Sequence, residues 1–355
     1  MSAYAIYRLP HADRATLIQQ TEGEPSEYQL CSELNGKRGF VVAPFQVTAQ
    51  QPILLIRPDV VNFLEVRGEG QEVRDMSTAE YSLTSHLSPL TSSYAIDFAN
   101  YHAQLETGLF RKIVLARCVD EASEEPIDPM ELFRRACMLY PRMFISLVST
   151  SKSGVWLTAT PEILLEGKGS DWRTIALAGT MKLAGDQLIG EGETVCWPTK
   201  DIQEQRIVTT YIAECLEQFT GDFHEEGPRT VRAANLVHLR SDFTFTLPDS
   251  QHLGDLLHAL HPTPAVCGLP KRETFNFIIK NEHSPRRYYS GFMGMLDPEG
   301  DTHLYVSLRC MNIEGNHYHL YAGGGLLKDS TEEQEWQETE AKLETMRRCI
   351  AIKKM

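Results

Sequence analysis

The sequence predicts an α+β fold with antiparallel β-sheet, and the grouping of its strand-like segments indicates this class. Strand-like segments occur in neighbouring, hairpin-like groups instead of alternating strictly with helices. The chain has 355 residues, of which 42% are hydrophobic and 23% are charged. This size and composition are typical of a soluble globular protein and suffice for one large domain or two fused lobes.

Short strands and polar turns make up the first 90 residues or so, and few residues there carry chemical function. Apolar runs at 40–43 and 52–56 predict two of these strands. The spacing of apolar residues predicts a helix over 94–107, which leads into a strand over 112–117.

The rest of the chain mixes groups of strands with three further helices. Apolar residues recur at helical spacing over 129–140, from about Lys200 and from Thr331 onward. Three glycines in a row before the last helix predict a turn at 323–325. Apolar runs predict strands at 143–149, 154–160, 174–177, 243–246, 288–291, 304–309 and 317–320.

Charge and cysteine content exclude several classes of partner and site. A net charge of −14 argues against nucleic acid or an acidic membrane, although a metal or local cations would still admit a small anion. The eight cysteines include no CxxC pair, which favours free buried thiols and argues against a zinc site. No signal peptide or apolar run of transmembrane length is evident. We therefore expect a cytoplasmic protein.

Two residues at strand ends are candidates for proton transfer. Lys112 begins a strand with two apolar faces, so its amine is expected at a buried edge, where desolvation favours a general base. A lysine that snorkels to solvent is the alternative. Glu162 follows a strand and precedes an apolar run, where a raised pKa would suit a general acid. A solvated glutamate in a turn is the alternative.

Four carboxylates lie on two of the predicted helices. Asp201 and Glu204 are about one turn apart on the inward side of the helix that starts near residue 200. Glu335 and Glu338 flank the apolar stripe of the last helix. An inward carboxylate needs a cation, and two helices that each contribute a glutamate suit Mg²⁺. A solvated acidic face is the alternative for each pair.

Segments between about residues 109 and 342 occur in an order that resembles the chorismate-utilising enzymes. Each segment is a weak signal alone, but together they are specific. Two positions depart from the common pattern, since Gln205 follows Glu204 where histidine is frequent and Gly324 stands where alanine is common. The matching segments are 112–117, 159–162, 177–180, 200–204, 261–268, 289–291, Arg309, 323–325 and 335–338.

The resemblance implies a single domain over residues 1–355, with a variable part at 1–90 and a catalytic part at 91–355. Layered antiparallel sheets would enclose the site, with helices outside. Glu204 and Glu338 would bind Mg²⁺, supported through water by Asp201 and Glu335. The metal would hold the ring carboxylate of chorismate. The residues implied to contact the substrate are Gly179, Thr180, His238, Ala265, Arg309 (on the enolpyruvyl carboxylate), Gly323 and Lys342.

Two positions bear on the choice of nucleophile. Lys112 falls where family members that use water or form a lysine adduct carry lysine, whereas anthranilate synthases carry glutamine there. Ala265 falls where anthranilate synthases carry threonine, and no amidotransferase segment is fused. The resemblance therefore implies that water attacks chorismate and that no amidotransferase subunit takes part.

The implied activity is that of an isochorismate synthase, which is an isomerase. Lys112 would deprotonate the water that adds to C2, and Glu162 would protonate the departing C4 hydroxyl. The product would feed menaquinone or siderophore biosynthesis. The alternatives are a salicylate synthase, an aminating enzyme such as an anthranilate synthase large subunit, and a non-catalytic module that binds Mg²⁺ or a carboxylate. Lys112 and Glu162 argue against the last, because binding alone needs neither.

Overall fold

The computed structural model describes residues 3–66, 90–182, 196–233 and 236–351. The helices in these ranges are α1 Leu90–Glu106, α2 Pro129–Leu139, α3 Thr199–Leu216, α4 Leu253–Leu260, α5 Lys271–Asn281 and α6 Glu332–Ala351. The strands there are β1 Tyr4–Arg8, β2 Arg14–Gln19, β3 Ser26–Tyr28, β4 Gly39–Ala43, β5 Ile53–Ile56, β6 Val60–Glu65, β7 Lys112–Ala122, β8 Phe144–Thr150, β9 Gly154–Thr160, β10 Ile163–Lys168, β11 Asp171–Lys182, β12 Phe223–Ala233, β13 Leu236–Thr246, β14 Gly268–Leu269, β15 Phe292–Leu296, β16 Thr302–Val306, β17 Cys310–Glu314 and β18 His317–Leu326.

These strands form two nine-stranded sheets in which neighbouring strands run antiparallel. The first sheet has the order β14-β7-β18-β17-β9-β8-β1-β2-β6, and the second has the order β12-β13-β11-β10-β16-β15-β4-β5-β3. The N-terminal strands therefore extend both sheets. The predicted boundary near residue 90 adjoins 67–89, which lie outside the described residues.

Large aromatic side chains fill the space between the two sheets. The ring of Phe144 on β8 stacks on that of Tyr305 on β16, with centroids 4.2 Å apart. Tyr7 on β1 contacts Phe40 on β4 at 5.6 Å. Helices α2 and α6 pack on the outer face of the first sheet, and α3 and α4 on that of the second. This arrangement confirms the predicted α+β class with layered antiparallel sheets and outer helices.

Gly323, Gly324 and Gly325 do not form the predicted turn. They lie inside β18, where each pairs with a residue of β7. Glycine favours turns locally, but pairing with a long neighbouring strand overrides that preference. The correction matters for the site, because the three glycines leave a stretch of strand surface without side chains.

The predicted strand at 288–291 is a turn. The N–H of Tyr289 donates to the carbonyl of Arg286 at 2.9 Å. Ser290 has a φ of 61°, which lies in the left-handed region and interrupts an extended chain. The aromatic residues that suggested a strand are buried here as anchors of the turn, so their burial and not their backbone explains the pattern.

The strand predicted at 304–309 ends earlier, at Val306. The N–H of Leu308 turns back to the carbonyl of Val306 at 2.9 Å, and Arg309 has a φ of 47°. Arg309 thus lies in a tight connection between β16 and β17 instead of at a strand end. No helix among the described residues is both long and apolar enough to cross a lipid bilayer.

Candidate active site

A cavity of about 60 Å³ lies where β7 and β18 of the first sheet approach β11 and β13 of the second, near the start of α3 and the middle of α6. Most of the predicted site residues line it: Glu162, Gly179, Thr180, Glu204, His238, Ala265, Arg309, Gly323 and Lys342. The other four, Lys112, Asp201, Glu335 and Glu338, adjoin these residues through the ion pairs and electrostatic contacts that follow. The structure therefore brings the whole predicted set together.

Lys112 and Glu204 form an ion pair beside this cavity. The lysine side chain is fully buried at the start of β7, which excludes the snorkelling alternative. Its Nζ lies 2.9 Å from Oε1 of Glu204, and the N–H of Gly179 donates to Oε2 at 3.2 Å. Burial raises the pKa of Glu204, but Lys112 and the more distant Lys200 outweigh it, so the pKa is lowered overall. The carboxylate is therefore ionised.

The three glycines of β18 make room for polar groups of the site. A Cβ at Gly325 would lie only 2.1 Å from Oε1 of Glu204. One at Gly324 would lie 2.7 Å from Oε2 of Glu335, and one at Gly323 would lie 2.7 Å from the hydroxyl of Tyr289. Each distance is shorter than a real Cβ contact, so β18 passes close to the site because it carries no side chains there.

Glu162 occupies the short connection between β9 and β10 and is 3% exposed. Burial raises the pKa of its carboxyl to about 8, against the opposing effect of Lys112, Lys342 and Arg309. The side chain is therefore protonated at neutral pH and can donate a proton into the cavity that it lines. This excludes the alternative of a solvated glutamate in a turn.

The remaining carboxylates cluster between α3 and α6. Lys200 donates a hydrogen bond to Oε1 of Glu335, and Lys342 donates one to Oε1 of Glu338 at 2.7 Å. Burial, together with Glu338, raises the pKa of Glu335 to about 7. Burial, together with Glu204 and Glu338, raises that of Asp201 to about 6. Crowding of these carboxylates thus favours the protonated forms of Glu335 and Asp201 where no cation lies between them.

This cluster fits a hard divalent cation. Oε2 of Glu335 is buried and has no hydrogen-bond partner among the described residues, and an unsatisfied buried oxygen is costly. Carboxylate oxygens are the ligands that Mg²⁺ prefers. Both features match the donor set that the sequence predicts.

Arg309 and His238 form a hydrogen-bonded pair that also lines the cavity. Nδ1 of His238 lies 2.9 Å from the carbonyl of Gly179 and donates to it, while Nε2 accepts a hydrogen bond from Arg309. Burial, followed by Arg309, holds the pKa of His238 well below its ordinary value, so the ring is neutral. Thr180 Oγ1 lies 3.4 Å from the same Nδ1. The histidine therefore orients the guanidinium.

Neither Lys200 nor the hydroxyl of Tyr289 has a role in the sequence-based prediction, although both lie in matching segments. Lys200 neutralises Glu335 across two helices, and Tyr289 lines the cavity opposite Gly323. Their positions depend on contacts between distant elements. The one available signal for Lys200 was its place beside Asp201 at a helix start.

The cavity is small for the reactants of an enzyme, since ligand pockets commonly measure about 300 to 1,000 Å³. Ion pairs of Lys112 with Glu204 and of Lys342 with Glu338 border it. An anionic ligand bound here would therefore compete with these carboxylates for the two amines.

Comparison with known proteins shows a single family over most of the chain. The sequence profile described as "Chorismate binding enzyme" matches residues 34–351. The isochorismate synthase EntC of Escherichia coli K12 is 31% identical over 238 residues, which make up 66% of this chain and 61% of that protein. The chain thus covers less than two thirds of the length of that relative. The isochorismate synthase DhbC of Bacillus subtilis 168 is 29% identical over 359 residues, 97% of this chain and 89% of that protein. The solved structure of DhbC from Bacillus anthracis has a TM-score of 0.82 at 24% identity, over 99% of this chain and 96% of that one, and shows the same fold.

Proposed function

Because the chain belongs to the chorismate binding enzyme family, we propose that it is an isochorismate synthase, an isomerase that converts chorismate to isochorismate. The observation that carries the proposal is the presence of a buried lysine and a buried, protonated glutamate at one cavity. Lys112 and Glu162 supply the base and the acid that addition of water and loss of a hydroxyl require. The two relatives named as isochorismate synthases support the same activity.

In the proposed mechanism, Lys112 takes a proton from water as the water oxygen adds to C2 of chorismate. The ring double bonds shift, the C4–O bond breaks, and Glu162 gives its proton to the departing hydroxyl. Lys112 must first separate from Glu204, its counter-ion in this structure, before its amine can accept a proton from water. Glu162 carries the proton it donates at neutral pH, since its pKa is raised to about 8.

The cationic groups around the cavity would orient the substrate. Arg309, held by the neutral ring of His238, pairs with the carboxylate of the enolpyruvyl group. Lys342, whose amine donates to the carbonyl of Gly323 at 2.8 Å and to Oε1 of Glu338 at 2.7 Å, would lie behind the metal site. Backbone and hydroxyl groups of Gly179 and Thr180, and the side chain of Ala265, complete the wall.

We propose Mg²⁺ as the cofactor, with Glu204 and Glu338 as ligands and with Asp201 and Glu335 supporting them through water. When bound, Mg²⁺ supplies positive charge that holds the ring carboxylate and stabilises negative charge on the ring. The mutual repulsion of the clustered carboxylates, which a cation would relieve, supports this assignment.

We place the reaction in the cytoplasm, with water as the nucleophile, no amidotransferase subunit, and a product that enters menaquinone or siderophore biosynthesis. All eight cysteines are free, as expected in a reducing compartment. Lys112 supports water over ammonia, since the lysine is present as a base beside the cavity.

The deciding experiment is incubation of the purified protein with chorismate and MgCl₂, with the products separated by chromatography. We expect isochorismate, formed reversibly and without ammonium. Release of pyruvate in step with substrate loss would instead identify a salicylate synthase. Product formation that requires ammonium would identify an aminating enzyme, and no turnover would favour a binding module.

A further inference from the structure

The outer end of the β7–β18 ladder carries a second group of polar side chains. Tyr321 on β18 lies opposite Cys118 on β7, and His319 lies opposite Asp120. Residues directly opposite in adjacent strands project on the same face, and so do residues two apart in one strand. Cys118 is six positions beyond Lys112, which places it about 20 Å along the strand from the proposed base. The cluster is therefore separate from the proposed active site.

Three potential metal ligands converge at this place. The Sγ of Cys118, a carboxylate oxygen of Asp120 and a ring nitrogen of His319 all lie within 4.8 Å of one another. Nδ1 of His319 hydrogen-bonds Oδ1 of Asp120, and its Nε2 lies 3.7 Å from Oε2 of Glu314. The imidazole thus lies between carboxylates from two different segments, and Glu314, on the side of Nε2, can hold the ring while Nδ1 faces Asp120.

We propose that Cys118, Asp120 and His319 form a binding site for Zn²⁺ or a similar borderline-soft divalent ion, with the fourth position open to water. Thiolate and imidazole together select such ions over Mg²⁺. Bond lengths of about 2.0 to 2.3 Å put the donor atoms of a tetrahedral zinc site roughly 3.5 Å apart. Side-chain rotations of about 1 Å close the present cluster to that spacing.

The position of the thiol distinguishes this site from an ordinary ion pair. A cross-strand contact between His319 and Asp120 needs no third group, yet Cys118 lies half-buried on the same face within reach of both. Asp120 itself is exposed, which leaves the ion a path from solvent.

Titration of the full-length, chelator-treated protein with Co²⁺ tests the proposal, because a cobalt–thiolate bond gives a charge-transfer absorption band. We expect one equivalent of Co²⁺ to produce the band, Zn²⁺ to remove it and excess Mg²⁺ to leave it unchanged. Cys118→Ser should abolish the band. His319→Asn should weaken Co²⁺ binding by more than about tenfold.

Cys196→Ser is the matched control, because Cys196 is exposed and lies outside the cluster. It should bind Co²⁺ as the unmodified protein does. Absence of the band, or its persistence in Cys118→Ser, would overturn the proposal, as would its loss in the control. If Cys118→Ser does not fold, as judged by circular dichroism, His319→Asn decides the question, since full affinity in that variant also overturns it.

Discussion

The amine of Lys112 and the carboxylate of Glu204 lie 2.9 Å apart, so the proposed base and a proposed metal ligand neutralise each other in this structure. Both side chains are buried, and a buried ion pair gains little net stability because desolvation opposes the Coulomb attraction. Binding of a cation by Glu204 and of an anionic substrate near Lys112 would exchange one set of charge contacts for another. The ion pair therefore keeps the site neutral until the reactants separate it.

Replacement of Lys112 by glutamine should reduce turnover by at least about 100-fold, because an amide cannot deprotonate water. The variant should also be less stable by about 3 kcal/mol, since Glu204 is left buried without its cation. Chromatographic rate measurements and urea unfolding check the two effects. Lys168→Gln, which removes an exposed lysine, is the control. A Lys112→Gln enzyme with a normal rate would contradict the assigned base.

The pKa of Glu162 predicts how activity and stability depend on pH. The acid must be protonated, so kcat/KM should fall as the pH rises through about 8. Its pKa is raised from 4.5, so between these values the folded state binds more protons than the unfolded state. Stability from this group is therefore present below pH 4.5 and is lost as the pH rises toward 8.

Glu162→Gln should remove both effects, because the amide is neutral at every pH. The variant should lose about 100-fold or more in turnover. Its melting temperature relative to the unmodified protein should increase as the pH rises through this range, which calorimetry at several pH values measures. An unchanged difference across the range would show that Glu162 does not titrate there.

Glu204→Ala and Glu338→Ala should each abolish Mg²⁺-dependent turnover, because the two carboxylates come from different helices and neither can hold the ion alone. Glu332→Ala is the control on the exposed side of α6 and should be nearly silent. Rates measured over a range of Mg²⁺ concentrations check this. If either single variant retained full activity at saturating Mg²⁺, that residue would not be a ligand.

Gly325→Ala should inactivate the enzyme, since its Cβ would lie 2.1 Å from Oε1 of Glu204 and 2.9 Å from Cε of Lys112. The methyl group would force the ion pair apart or move β18, and misplacement of about 1 Å can cost about 100-fold in rate. Gly221→Ala is the matched control, because a Cβ there meets nothing within 4 Å. Turnover and melting temperature of both variants are the measurements. Equal activity in the two variants would show that the site accommodates a methyl group at residue 325 and would contradict the prediction.

Local patterns predicted α1, α2, α3 and α6, where apolar spacing and burial coincide, and nine of the eighteen described strands, but they did not predict α4 and α5. They failed at 323–325 and 288–291, where a local preference for turn or strand was overridden by pairing with β7 in one case and by a left-handed residue in the other. The segment order located the candidate site residues before any geometry was known. Their roles stay predictions.

Contacts between distant segments could not be predicted from local sequence patterns. Nothing local to Lys200 indicates that it reaches Glu335, or that Lys112 meets Glu204. The spacing of cysteines argued against a zinc site, yet strand register brings His319 opposite Asp120, about 200 positions away in the chain. Sequence spacing detects metal sites built on one segment, whereas this cluster is assembled by two strands.

The placement of the N-terminal strands has a consequence for how the chain folds. Ile6 on β1 pairs with Leu147 on β8, and Ala43 on β4 pairs with Phe292 on β15. Both contacts close very long loops, so the entropy of closure must be met before either sheet is complete. During synthesis, the edge of β4 that pairs with β15 stays unpaired until β15 has been made, so we expect the second sheet to be completed only after most of the chain has been synthesised.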